Sequence, residues 1–195
     1  MPSPAAIAYQ IAARRAEVIR AQVPGLPRDE VQILFGASLV ACVATWDTYI
    51  KDLVNDFFNE SADPLTPRFH AVHSIAKEQA LDRLKRFNTP NFENTRNLLV
   101  QCTGFDPYTL WQWPVRHMNV QMVQQRLNEV LQVRHSFAHG FAMPAYSWTR
   151  SPTGRIRLTG KDLQVNEAFF RHLVQVTDHG MKTHLSSIFS AATTW

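Results

Sequence analysis

Apolar residues recur at helical spacing along most of this chain. Residues 5–22 mix alanines and aliphatics with Arg14, Arg15 and Arg20, which predicts a short amphipathic helix stopped by VPGLP at 23–27. One long helix is expected from Arg28 to about Glu60, apolar on most sides as far as Trp46. Beyond that point Trp46, Tyr49, Ile50, Leu53 and Phe57 face inward. Asp47, Lys51, Asp52 and Asp56 turn outward or toward a cleft. Residues 61–64 break the helix. Three later elements read as starting alike, with a capping side chain and then proline at the first helical position: Thr66-Pro67, Thr89-Pro90 and Asp106-Pro107. The first helix runs to about Arg86, with Phe69, Val72, Ala76, Ala80 and Leu84 inward. The second runs to Cys102 and is closed by Gly104. The third is only a turn, interrupted by Pro114.

The next helix, roughly 115–139, carries an apolar stripe of Val120, Val123, Leu127 and Val130. Arg134 and Phe137 hold the next two places on that stripe. An arginine there needs either a buried partner or a cleft, because an unpaired guanidinium is costly to desolvate. Gly140 reads as the left-handed cap and Pro144 makes the stop firm. The pattern then changes. Tyr146, Trp148 and Arg150 alternate, SPTG at 151–154 supplies a turn, and Arg155-Ile-Arg157-Leu alternates again, which predicts a β-hairpin over about 145–159. Helical period returns from about 162 to 190. The expected architecture is an all-α bundle of four to six helices with a small β-hairpin insertion after the motif helix. A single domain is expected over 1–195, its core at 28–190.

With 195 residues, 45% hydrophobic and 18% charged, the chain can bury one sizeable core. Its formal charge of +4 is unevenly spread. Residues 1–66 hold five Lys/Arg against eight Asp/Glu, and residues 67–195 hold fifteen against eight. The basic part contains the arginine and histidines of the 115–139 helix, so a nucleic-acid partner is permitted. Arginine outnumbers lysine fifteen to five, which suits phosphate recognition and would equally follow from a GC-rich genome. Cys42 and Cys102 lack metal-site spacing and read as free buried thiols. No secretion signal is evident. The longest apolar run, 33–46, contains Gly36, Ser38 and Thr45 and is shorter than the ~20 residues of a membrane span. A cytoplasmic protein without membrane contact is the expectation.

Arg134 to His139 reads Arg-x-x-x-x-His, and RHSFAHG at 134–140 resembles the signature of the HEPN superfamily. Among its branches the chain is most similar to RiboL-PSP-type HEPN proteins of bacterial defence and toxin–antitoxin systems. ATWDTYIKDLVNDFF at 44–58 is similar to that family's long helix with its aromatic-acidic-x-aromatic step. NTPNFENTRNLLVQCTGFDP at 88–107 is similar to its Pro-rich connector and short helix. The resemblance covers roughly residues 30–190. It implies a metal-independent endoribonuclease, a toxin or defence effector cleaving RNA by 2′-hydroxyl attack, with Arg134 and His139 catalytic and no cofactor. It also implies a homodimer whose motif helices pack into a composite cleft, and a cognate antitoxin as a further partner. Many members are thought to act as catalytically silent scaffolds, which is the second reading. A DNA-binding regulator lacks a helix-turn-helix here.

The residue types suit that chemistry. Histidine moves protons near neutral pH, and arginine is a permanent cation whose fork fits phosphate oxygens. Five residues along a helix is a turn of about 140°, so Arg134 and His139 do not share a face. They converge only if the helix ends at His139 or if a second copy completes the site. Side chains in a last turn also satisfy the final carbonyls and the helix dipole, the plainer role open to Arg134, His135 and His139. His135 and His139, one turn apart, are half a metal site, and no third ligand is suggested. Asp47 either orients a motif side chain or is a solvated helix carboxylate. Arg150, Arg155 and Arg157 with Tyr146 and Trp148 read as RNA contacts beside the cleft or as the charged edges of an exposed hairpin. The other histidines read as structural or surface. Nothing in the sequence names the RNA target.

Overall fold

Helix α2 (Arg28–Glu60) is the axis on which the other helices assemble. It packs against α1 (Pro4–Ala21), α3 (Pro67–Arg86), α4 (Phe92–Thr103), α5 (Val120–His139) and α6 (Gly160–Phe189). The computed structural model describes residues 1–62, 66–151 and 153–189. By length and composition α2 is able to cross a membrane, because its apolar stretch outlasts the run at 33–46. In this fold that stretch is core. Trp46, Ile50, Leu53 and Val54 are fully enclosed, among Phe92, Trp111, Leu127, Val130 and Phe170 from the surrounding elements.

Two aromatic polar groups buried in this core find partners. The Trp111 indole donates to Thr177 (2.8 Å) and the Tyr49 hydroxyl to the Val174 carbonyl (3.2 Å). At the chain start Ser3 caps α1, with Pro4 at its first position. Asp178 of α6 accepts hydrogen bonds from the Ser3 amide and hydroxyl, and Asp56 of α2 accepts from the Ala5 amide at 2.8 Å. Two carboxylates thus meet the positive end of α1. Burial holds the Asp56 carboxyl above its usual range even with that amide bonded to it.

Several expectations change. The β-hairpin does not form. Among the described residues the 145–159 segment holds one isolated antiparallel bridge, Arg150 to Ile156. The cause is Thr149. Its buried hydroxyl donates to the Pro144 carbonyl and accepts from the Tyr146 amide, while the Thr149 and Arg150 amides both reach the Tyr146 carbonyl. Residues 146–150 are wound into a turn, the second arm meets it only around the Arg150–Ile156 bridge, and no strand forms among the described residues. Pro152, within the expected SPTG turn, lies outside the described residues, as do positions 63 and 64 of the expected break and Ser190. Residue Leu158 is then tied to α2 in both directions through Gln32, at 2.9 Å each.

Helix α5 starts at Val120 rather than near 115. A 3₁₀ turn over Pro114–Arg116 and a left-handed His117 (φ 53°) come first, and the Asn119 side chain caps Met122. In α4 the cap is Asn91, two residues after Thr89. On α3 the residues Val72 and Ala76 are exposed, and Ala80 and Leu84 reach the core. Gly104 and Gly140 are left-handed caps, φ 73° and 69°.

Candidate functional site

The end of α5 opens onto a cleft of about 580 Å³. Its floor is Leu131, Arg134, His135 and Ser136; its far wall is Asn88, Thr89 and Asn91, in the connector ahead of α4; Phe141 and Pro144 close one side. Among the described residues no carboxylate lines it. The connector is held from two directions. The buried Trp46 indole donates to the Pro90 carbonyl at 3.2 Å, and the Asn128 side chain accepts from the Phe92 amide at 3.3 Å. The aromatic residue of the 44–58 stretch therefore anchors the wall that faces Arg134.

Arg134 sits at the edge of the buried face of α5, next to Val130, Val133 and Ser136. No hydrogen bond or ion pair engages it among the described residues. Of the two options open to an arginine on this stripe, the fold takes the cleft. Phe137 is 37% exposed, and its ring covers Gly36 of α2 so closely that a Cβ there would lie 2.1 Å from Phe137 Cε2. Only glycine admits that approach. Helix α5 ends in a Schellman-type closure, with the Gly140 and Phe141 amides both on the Ser136 carbonyl. That closure folds Phe141 back over the histidines. The His135 and His139 rings lie 4.3 Å apart, and Phe141 stacks near both, at 5.8 and 5.9 Å.

A family profile, RiboL-PSP-HEPN, matches residues 10–181. The chain belongs to the RiboL-PSP-HEPN family. No curated protein and no solved structure matches it. Membership makes this a HEPN-type nuclease or scaffold on an all-helical fold.

Within this HEPN chain the expected site residues divide. Arg134 and His135 share the cleft; His139 stands exposed at its rim, joined through His135. Asp47 pairs with Lys51 at 2.6 Å through Oδ2, while its Oδ1 is buried without a hydrogen-bond partner. Arg155 and Arg157 line a separate groove with Arg28 and Asp29 at the start of α2, and Arg150 is exposed. Tyr146 and Trp148 stack at 6.3 Å, and the Tyr146 hydroxyl bonds Gln132, a cleft residue. No group of three His, Cys, Asp or Glu placed to hold a metal ion occurs among the described residues. The amide-rich wall of Asn88, Asn91, Asn128 and Gln132 was missed by sequence reasoning, since two segments far apart in the chain supply it.

The wall's anchoring is testable by substitution. Trp46→Phe keeps the ring but leaves the buried Pro90 carbonyl without its donor. We expect a loss of roughly 1–3 kcal/mol in chemical denaturation and weaker RNA binding than wild type. Unchanged stability would show that Trp46 does not hold the connector.

Proposed function

We propose that this chain is a metal-independent endoribonuclease of the HEPN type, acting as a toxin or defence effector. The observation that carries the reading is Arg134: a guanidinium without an ion pair, in a cleft without a carboxylate, beside a pair of histidines. Such a cleft favours an anion, and the planar fork fits the non-bridging oxygens of a phosphodiester. In the proposed reaction a histidine takes the 2′-hydroxyl proton as the 2′-oxygen attacks the adjacent phosphorus. Arg134 neutralises the charge on the phosphorane. The P–O5′ bond breaks, and a protonated histidine returns a proton to the leaving 5′-oxygen. The products are a 2′,3′-cyclic phosphate and a 5′-hydroxyl.

The site is proposed to be completed by a second copy of the chain through the motif helix. Phe137 and Phe141 leave apolar surface next to the motif, Phe141 being 64% exposed, and Ile33 lies one turn from Gly36 on α2. Apolar surface around a basic cleft suits a two-fold contact. A cognate antitoxin would then cover the cleft or the dimer contact.

Expression in a bacterial host tests the toxin reading. Induction of the wild-type chain is expected to arrest growth and fragment RNA, and Arg134→Ala is expected to do neither. Equal arrest by both chains, with intact RNA, would favour the scaffold.

A further inference from the structure

A second basic pocket, of about 330 Å³, lies between the middle of α5 and the start of α6. We propose that it binds a phosphate group of the same RNA strand, held by Arg116, Arg126 and Lys161. The strand as occupant rests on the nuclease reading above; the anion site does not.

Three cations line this pocket against one acid, Asp162, and that acid is already engaged. Its Oδ2 accepts from the Thr159 amide (3.0 Å) and hydroxyl (2.5 Å), closing the capping box of α6. None of the three cations makes an ion pair among the described residues. Both arginines are laid on tryptophans. The Arg126 guanidinium is 4.1 Å from the Trp148 ring centre, and that of Arg116 is 5.6 Å from Trp113. The indoles are fixed from elsewhere. Trp148 stacks on Tyr146 and donates to Glu129 at 2.9 Å; Trp113 stacks on His172 at 5.4 Å. The two forks are therefore oriented before any ligand arrives, which lowers the ordering cost of binding. Burial pushes the Arg126 guanidinium down to about 10, with Glu129 and Asp162 opposing from a distance. Arg126 is desolvated and makes no ion pair among the described residues, and an anion in the pocket would supply a direct one.

The position suits a strand. Arg126 and Arg134 lie eight residues apart on α5, about 12 Å of rise. The Trp148–Tyr146 stack and Gln132 form the ridge between the pocket and the cleft. A strand whose scissile phosphate meets Arg134 would run along that ridge and lay another phosphate on Arg126.

The test uses the full chain in an Arg134→Ala background, so that the motif cleft contributes little and no RNA is cut. Inorganic phosphate is expected to raise the melting temperature by roughly 3 °C more than chloride at matched ionic strength. Adding the exposed-residue pair Arg116→Gln and Lys161→Gln, or Arg126→Gln alone, should remove that increment. The paired substitution spares the buried stem of Arg126, so a folding defect in the Arg126 variant would not mask the answer. The same pair should weaken binding of a labelled single-stranded RNA about tenfold and reduce its logarithmic salt slope by about 0.7, one phosphate contact's worth. A phosphate increment that survives both variants overturns the site. An increment lost with RNA binding unchanged overturns the strand as occupant and leaves a free phosphate or mononucleotide. Wild-type cleavage is read separately: a chain that binds phosphate here yet cuts no RNA rejects the nuclease and keeps the pocket.

Discussion

Arg134→Ala and His139→Ala are each expected to lower RNA cleavage by about 10²–10⁴-fold, the range for removing a positioned acid, base or charge stabiliser. Both side chains are at the edge or surface of α5, so neither substitution opens a core cavity. Far-UV circular dichroism should remain that of the wild-type helical protein. The two variants should differ in binding. Arg134→Ala loses the phosphate contact and should weaken RNA affinity, whereas His139→Ala should bind nearly as wild type and fail at the chemical step. Full activity in the folded Arg134→Ala variant would reject this cleft as the site. Loss of activity in Arg134→Ala alone would leave proton transfer to His135, whose ring faces both the cleft and His139.

The second large effect is expected on mixing. Within one protomer Arg134 lines the cleft and His139 stands at its rim. Their five-residue spacing turns them about 140° apart. A two-fold contact along α5 would bring the His139 of one copy toward the Arg134 of the other. Arg134→Ala and His139→Ala chains, each inactive alone, should then recover cleavage when unfolded together and refolded, because some heterodimers carry one intact pair. With random pairing half of the dimers are mixed, and each retains one of its two sites. Recovery to roughly a quarter of wild-type activity follows from that symmetry. No recovery, with light scattering showing a cleaving monomer, would make the cleft of one chain sufficient.

Much of the fold was legible because helices are punctuated locally. Gly104 and Gly140 sit where the apolar period ends, and a left-handed φ is cheap for glycine. Of the three prolines expected to open an element, Pro67 opens α3, because its missing amide is not needed there, whereas Pro90 precedes the Asn91 cap of α4 and Pro107 only caps a 3₁₀ turn. The errors come from facts that period does not encode. Val72 has the right spacing for an inward face but is exposed, because the first half of α3 meets the bundle through Phe69, against Phe189, and His73, against Phe58. Tyr146, Trp148 and Arg150 alternate as a strand would, yet the Thr149 hydroxyl gives the backbone a local alternative. At the site, the apolar stripe announced that Arg134 needed a partner or a cleft. The cleft itself was invisible, because its wall of Asn88 and Asn91 is placed by Trp46, more than forty residues earlier. The Arg126–Trp148 contact is likewise long-range, and nothing in the pattern near Arg126 marks it.

Arg134 and the histidines beside it are proposed to cut RNA without a metal ion. Purified protein incubated with single-stranded RNA in excess EDTA, followed by end-group analysis of the fragments, tests it most directly. The expected result is undiminished cleavage leaving 2′,3′-cyclic phosphate and 5′-hydroxyl ends. Cleavage abolished by EDTA and restored by a divalent ion, or fragments ending in a 3′-hydroxyl and a 5′-phosphate, would contradict it.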